Sequence, residues 1–252
     1  MPVPSLAPDK LTELRALVAA TDRRPGRTVP LGLGEVDDLL ADGELHAEAL
    51  HETAPASAAL ADDAAATLFV AGAAARFAGA TGTVLWAVTR FDLYAPGLAQ
   101  AGLAADRVLY AEARDDAEAL ALAEDGLAHG SLAAVVAEVA RIGMTATRRL
   151  QLAAEKGGTP MLLLRRWRRR DVCPLAEPSA ATTRWRIGTA PSPSLGVPGL
   201  GRARWSVELV RQRNGAPFSL ILEACDGEGR LALPAGAADR AAAAGGAAAR
   251  AA

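Results

Sequence analysis

The sequence predicts an α/β protein with a mainly parallel sheet flanked by helices and with antiparallel strands in its C-terminal part. Two observations carry this prediction. Between residues 48 and 166, short apolar runs typical of buried strands alternate with helical patterns, and the connections are short. After residue 170 the pattern changes to polar–apolar alternation, interrupted by turn signals such as Asn214-Gly215.

Each parallel strand is predicted from a short apolar run, and each helix from apolar residues at helical spacing or from a cap. The first elements are a short helix over Glu35–Ala41, a strand over Glu48–Thr53, a long helix over about 60–78 and a strand over Thr83–Val88. A helix near 94–101 and a strand over Arg107–Ala111 follow.

Caps mark the second half of the parallel part. Asp115 and Glu118 have the spacing of a capping box, so a helix is expected from there to Gly130. Thr145 is expected to cap a further helix that ends at Gly157-Gly158. The remaining parallel strands are expected over Leu132–Glu138 and Met161–Arg166.

The C-terminal part alternates polar with apolar residues and is predicted to form antiparallel strands that extend the sheet. These strands are expected over Arg184–Ile187, Arg204–Arg213 and Phe218–Ala224. Trp86, Trp185 and Trp205 fall inside predicted strands, so we expect them in the core rather than on a stacking surface.

Both ends of the chain are expected to lie outside the main domain, residues 28–234. Residues 1–27 read as an amphipathic helix over 9–20 followed by a linker. Its apolar face could cover a partner or its own domain, because an apolar stripe does not reveal whose surface it covers. That face is formed by Leu11, Leu14, Leu17 and Val18. Residues 235–252 are rich in Ala and Gly and are predicted to be disordered.

Composition points to a soluble cytoplasmic protein. Half of the 252 residues are apolar (51%), which is enough for a sizeable core. No secretory signal is visible, and the apolar stretch Ala64–Ala75 is too short to cross a bilayer. Cys173 and Cys225 are far apart and form no CxxC motif, which argues against a disulfide framework or a zinc site.

Charge is distributed unevenly along the chain. Residues 1–160 carry 13 basic and 22 acidic side chains, whereas residues 161–213 carry 11 and 3. The densest cationic run contains an aromatic residue and consists of Arg165, Arg166, Trp167, Arg168, Arg169 and Arg170. Such a run could contact DNA or an acidic partner, because arginine binds phosphate and tryptophan stacks on bases. Alternatively, these arginines pair with the acidic first part of the chain.

No phosphate-binding loop follows the first parallel strand, at the turn after His51-Glu52 where such a loop would be expected. That loop needs glycines, a lysine and a hydroxyl residue after a strand, but Thr53–Asp63 contains neither glycine nor lysine. Asp62 and Asp63 would also repel phosphate at the start of the following helix. His46 and His51 do not have metal-ligand spacing, and His129 beside Ser131 lacks a placed acid. We therefore expect no catalytic residue, no cofactor and no metal.

Several segments of the chain form a recognisable set: Leu31–Leu40 (LGLGEVDDLL), Ala49–Glu52, Val84–Trp86, Asp92–Leu98, Ala133–Val136, Thr147–Glu155, Thr182–Ile187 and Gly201–Trp205. Together they resemble the ImuA family, the RecA-related proteins of bacterial mutagenesis cassettes. The resemblance covers about residues 8–234, and its segments are specific as a set.

The resemblance implies a RecA-like fold and an accessory role in SOS-induced translesion DNA synthesis, a DNA damage response that causes mutagenesis. Its implied partners are ImuB, which is a Y-family polymerase homologue, and an error-prone DNA polymerase III alpha-type subunit; RecA is a further candidate. Compared with RecA, the positions of the ATP site have degenerated at Glu52, Arg90 and Glu138. A non-catalytic adaptor, a pseudo-ATPase, is therefore expected. The alternatives are a SulA-like inhibitor of cell division and a degenerate RecA-type ATPase.

Overall fold

The computed structural model describes residues 27–167, 172–192, 199 and 201–234. Within them, eight strands form one sheet with the order β10-β9-β8-β3-β7-β6-β4-β5. Its strands are β3 (Leu50–Pro55), β4 (Val84–Val88), β5 (Val108–Glu112), β6 (Ala134–Val139), β7 (Met161–Arg165), β8 (Thr183–Ala190), β9 (Arg204–Gln212) and β10 (Phe218–Glu223). Two short strands, β1 (Thr28–Val29) and β2 (Leu45–His46), pair separately.

The helices that cover the sheet are α1 (Gly34–Asp37), α2 (Leu60–Ala78), α3 (Ala95–Gln100), α4 (Asp116–His129) and α5 (Met144–Gly157). Two single turns of 3₁₀ helix lie at Ala105–Arg107 and Pro174–Ala176. Among the described residues, no helix has the length and apolar character needed to cross a membrane.

The sheet is parallel from β5 to β8 and antiparallel from β8 to β10. β8 joins the two parts, because it pairs in parallel with β3 and antiparallel with β9. This arrangement confirms the predicted α/β class with a mainly parallel sheet and C-terminal antiparallel strands, as in a RecA-like fold.

Helix α2 packs on one face of the sheet because its contact side is built from small residues. Ala66, Ala71 and Ala74 are fully buried there, and Phe69 lies between Trp185 and Trp205. The side chains of Trp86, Trp185 and Trp205 are at most 3% exposed, which confirms their predicted place in the core.

Helices α4 and α5 cover the opposite face of the parallel strands. Their close approach depends on Gly157, since a Cβ atom there would lie 2.0 Å from the carbonyl oxygen of Leu127. Asp115 caps α4 by accepting a hydrogen bond from the Glu118 amide (2.9 Å), and Gly130 ends the helix in the left-handed conformation, as predicted.

One predicted cap was wrong. Helix α5 begins after Gly143, not after Thr145, and Gly143 has no side chain that could cap the helix. Thr145 instead lies exposed in the first turn of the helix. The helix predicted over residues 9–20 and the tail after residue 234 lie outside the described residues.

Candidate functional site

A cleft of about 220 Å³ lies at the carboxyl ends of the parallel strands. We call it the strand-end cleft. In open α/β sheets this is the usual place for a ligand, and in a RecA-like fold it is the place for a nucleotide. Its lining comes from the loop after β3, the first turn of α2, the loop after β4, and the ends of β6 and β7: Ser57, Ala58, Leu60, Asp63, Thr89, Arg90, Asp92, Glu138, Arg166 and Trp167.

The guanidinium group of Arg166 lies between the carboxylates of this cleft. It pairs with Glu138 at 2.7 Å, with Asp63 on α2, and with Asp92 at 3.7 Å. It also donates a hydrogen bond to the hydroxyl of Thr67 (3.1 Å). The Arg166 side chain is only 12% exposed, so its charge is used inside the molecule.

Glu138, at the end of β6, is the most deeply buried acid of the cleft. Its carboxylate accepts hydrogen bonds from the indole of Trp86 (2.7 Å) and from Arg166 (2.8 Å). Burial raises the pKa of Glu138, although Arg166 and Trp86 favour the charged form. Burial alone would lower the pKa of Arg166, but the carboxylates of Glu138 and Asp63 outweigh it and raise this pKa. Arg166 therefore favours the charged form of the buried Glu138, while its own guanidinium is protonated in any case.

Asp62 fixes the start of α2 where a phosphate-binding loop would need to be open. Its carboxylate accepts hydrogen bonds from the Ser57 hydroxyl (2.6 Å) and from the amide and hydroxyl of Thr189 on β8 (2.8 and 2.9 Å). Burial would raise the pKa of Asp62, but these hydrogen bonds outweigh it and lower the pKa. The loop after β3 is thus tied down by a carboxylate.

A second ion-pair network lies on the opposite face of the sheet. Side chains alternate between faces along a strand, so Arg165 points away from the strand-end cleft. Its guanidinium pairs with Glu52 on β3 (2.6 Å), and Glu52 also pairs with Arg184 on β8 (2.7 Å). Glu52 is fully buried and Arg165 is 1% exposed. We call Arg165, Glu52 and Arg184 the buried triad.

The residues of the strand-end cleft do not fit a nucleoside triphosphate. A triphosphate needs flexible backbone amides and a cation in the loop after the strand, but the loop after β3 offers Ala56, Ser57 and Ala58, and Asp63 follows on the helix. Arg166 is already neutralised by the surrounding carboxylates. The cleft is also smaller than the roughly 300–1,000 Å³ typical of small-molecule pockets.

The structure corrects the surface interpretation of the arginine run for two residues. Arg165 and Arg166 are paired inside the chain, which agrees with the alternative that these arginines neutralise the acidic first part. Trp167 is half-buried and lines the strand-end cleft. The remaining members of the run, Arg168, Arg169 and Arg170, lie outside the described residues, as do Leu11, Leu14, Leu17 and Val18.

The positions expected to mark a degenerate ATP site separate into two places. Arg90 and Glu138 both line the strand-end cleft, and Arg90 is exposed. Glu52 belongs to the buried triad instead. Sequence analysis missed the role of Arg166, because its partners Asp63 and Glu138 are 103 and 28 residues away in the chain.

A larger cleft of about 360 Å³ opens at the amino ends of β3 and β8. His51 lines it, and its Nε2–H donates a hydrogen bond to the carbonyl of His46 (2.8 Å), while its Nδ1 is hydrogen-bonded to the hydroxyl of Thr183 (2.8 Å). Burial lowers the pKa of His51 to about 4. Within the described ranges, no group of three or more His, Cys, Asp or Glu side chains is placed to hold a metal ion.

The outer edge of the sheet carries an apolar surface that sequence analysis also missed. In the described part of the chain β5 is an edge strand, paired with β4 only. Leu109 is 54% exposed on it, and Phe91, 61% exposed, packs edge-on against Tyr110 with ring centroids 5.1 Å apart. We call Phe91, Leu109 and Tyr110 the aromatic edge.

Comparison with known proteins identifies relatives of this chain. Two curated proteins named Protein ImuA, from two strains of Caulobacter vibrioides, are each 41% identical to it over 148 residues. The match covers 57% of this chain and 61% of the length of each relative. No family model matches the chain. This match bears out the resemblance to the ImuA family seen in the sequence.

Proposed function

We propose that this chain, as an ImuA relative, is an accessory protein of the ImuA/ImuB mutagenesis system that works through protein contacts and does not hydrolyse ATP. Its role is in damage-induced translesion DNA synthesis. The proposed partners are an ImuB-type Y-family polymerase homologue and an error-prone DNA polymerase III alpha-type subunit, with RecA as a further candidate.

The observation that carries the non-catalytic part is the ion-pair cluster around Arg166. A RecA-type ATPase keeps an acid and a cation free at this place to bind magnesium and phosphate. Here Arg166 neutralises Glu138 and Asp63, and Asp62 holds the loop after β3 to Thr189. The protein would have to break several buried or half-buried ion pairs before a nucleotide could enter.

The aromatic edge supports the protein-contact part of the proposal. An edge strand presents unpaired backbone groups, to which a strand from another protein can add. Leu109 and Tyr110 point to opposite faces of the sheet, so an added strand would find apolar side chains on both sides. We propose this edge as the contact for the ImuB-type partner.

Two experiments test the proposal. First, the immobilised chain is used to capture purified ImuB from the same bacterium. We expect capture by the wild type and by the control Ile221→Glu on the other edge strand, β10, but loss of capture by Leu109→Glu. Ile221 suits the control because it is also partly exposed, at 39%. Absence of any contact with ImuB, the polymerase subunit or RecA would refute the adaptor role.

Second, calorimetry with Mg-ATP tests the missing nucleotide site directly. We expect no saturable heat at nucleotide concentrations that saturate working ATPases, which bind in the micromolar to millimolar range. Tight binding in the strand-end cleft would show that the nucleotide site survives. This outcome is independent of partner capture, so the two parts of the proposal can fail separately.

A further inference from the structure

The exposed face of α5 carries positive charge around apolar side chains. Leu152 lies at its centre and is 52% exposed, and Met144 lies at its start and is 50% exposed. Arg148 and Lys156 are four residues before and after Leu152, so they flank it on the same side of the helix. Arg149 lies beside them and is also exposed. We call these five residues the basic helix face.

This face differs in charge from the part of the chain that contains it. Residues 1–160 have a net charge of −9, yet residues 141–156 carry four basic side chains and one acidic one. The acidic one, Glu155, is half-buried and accepts a hydrogen bond from Gln151 at 3.1 Å. Arg149 pairs with Glu124 on α4. The face therefore has an excess of positive charge around Leu152.

Helix stability accounts for two of the three cations but not for Arg148. Lys156 lies in the last turn of α5, where a cation complements the helix dipole, and Arg149 pairs with Glu124 on α4. Arg148 lies in the second turn, where the dipole gives it no such advantage. Exposed helices usually gain from acid–base pairs at a spacing of four residues, but Arg148 and Lys156 both have Leu152 at that spacing. The composition of this face suits a partner better than it suits the isolated helix.

We propose that the basic helix face binds an acidic, amphipathic helical segment of another protein. Charge complementarity selects an acidic partner, and it also steers the encounter. The exposed Leu152 and Met144 select a protein over a nucleic acid, because apolar side chains gain nothing from a phosphate backbone. The contact is separate from the strand-end cleft and from the aromatic edge, so it does not depend on the function proposed above.

The test uses the full chain and a fluorescent synthetic helix with Glu on one side and Leu on the other. We expect saturable binding that weakens with added salt. Arg148→Glu with Lys156→Glu should weaken it at least about tenfold, because two favourable charges become repulsive. Leu152→Ser should weaken binding of this peptide but not of a peptide with Ser in place of Leu. Arg90→Glu, an exposed cation elsewhere, should leave binding unchanged.

Three results would overturn the proposal. One is the absence of saturable binding of the Glu/Leu peptide by a correctly folded protein. Another is equal weakening by the Arg90→Glu control, which would show a general charge effect. The third is tighter binding of single-stranded oligothymidine than of the peptide, with the same loss in the Arg148/Lys156 variant, because the face would then bind nucleic acid.

Discussion

Replacing Arg166 by methionine removes the cation of the strand-end cleft and keeps most of the side-chain volume. Glu138, which is 3% exposed, would then keep Trp86 as a neighbouring donor but lose its charged partner. Asp63 and Asp92 would lose the same cation. We expect the variant to fold with clearly lower stability.

The size of the effect follows from burial. Removing one partner of a buried ion pair costs about 3–5 kcal/mol, because an uncompensated charge is left behind. Asp63 is 32% exposed and Asp92 56%, so solvent screens them and their loss adds little. Glu138 thus accounts for most of the loss, and about 3 kcal/mol is expected at neutral pH.

Urea unfolding followed by circular dichroism measures this loss. The matched control is Arg186→Met, because Arg186 pairs with Glu208 at 2.7 Å but the two side chains are 34% and 38% exposed. That control should lose no more than about 1 kcal/mol. The deficit of Arg166→Met should also shrink as pH falls, because its buried Glu138 can then take up a proton.

Equal losses for the two methionine variants would refute this reasoning. They would mean that solvent already screens the cluster around Arg166 as well as it screens a surface pair. A deficit that stays constant with pH would locate the cost in packing, not in the charge of Glu138. Glu138→Gln combined with Arg166→Met distinguishes these cases, because the double variant should recover part of the lost stability.

Two further predictions concern other buried titratable groups. The pKa of His51 is about 4 in the folded chain and ordinarily 6.5. Its contribution to the free energy of unfolding is therefore fully present above pH 6.5 and is lost as pH falls toward 4. Because of this group, the free energy of unfolding should be about 2 kcal/mol higher at pH 7 than at pH 5. His51→Gln should abolish this difference, and the exposed control His129→Gln should retain it. In the buried triad, Glu52→Gln should cost at least about 3 kcal/mol, since Arg184 would lose its carboxylate and Arg165 would keep only the exposed Glu177. Replacing Glu52, Arg165 and Arg184 together by apolar residues should restore most of the stability, and a triple variant as unstable as Glu52→Gln would contradict this.

Much of the fold could be predicted because its signals are local. The apolar runs of the parallel strands, the Asp115 cap and the turn at Asn214-Gly215 each act within a few residues. Thr145 shows the limit of such signals: a capping residue type was present, but the chain began the helix at Met144 after Gly143. Helix ends are decided by small differences in free energy, so packing can move them.

The site could not be predicted in the same way, because its partners come together only when the sheet forms. Arg165 and Arg166 are adjacent in sequence, but the alternation of a strand sends them to opposite faces. There they meet acids from elements far away in the chain, Glu52 and Asp63. Nothing local distinguishes an arginine that reaches a buried carboxylate from one that reaches solvent.

The same point explains why segregated charge is a poor guide to binding surfaces in this chain. The basic segment after residue 160 supplies Arg165, Arg166 and Arg184, and each pairs with an acid from the first part. Part of this basic stretch therefore neutralises acidic side chains inside the protein and does not face solvent. Conversely, the exposed cations around Leu152 on α5 lie inside the acidic part, where the net charge hides them. A surface that binds a charged partner is therefore better located by counting only the charges that are not used in internal ion pairs. The net charge of a sequence segment is a poorer guide.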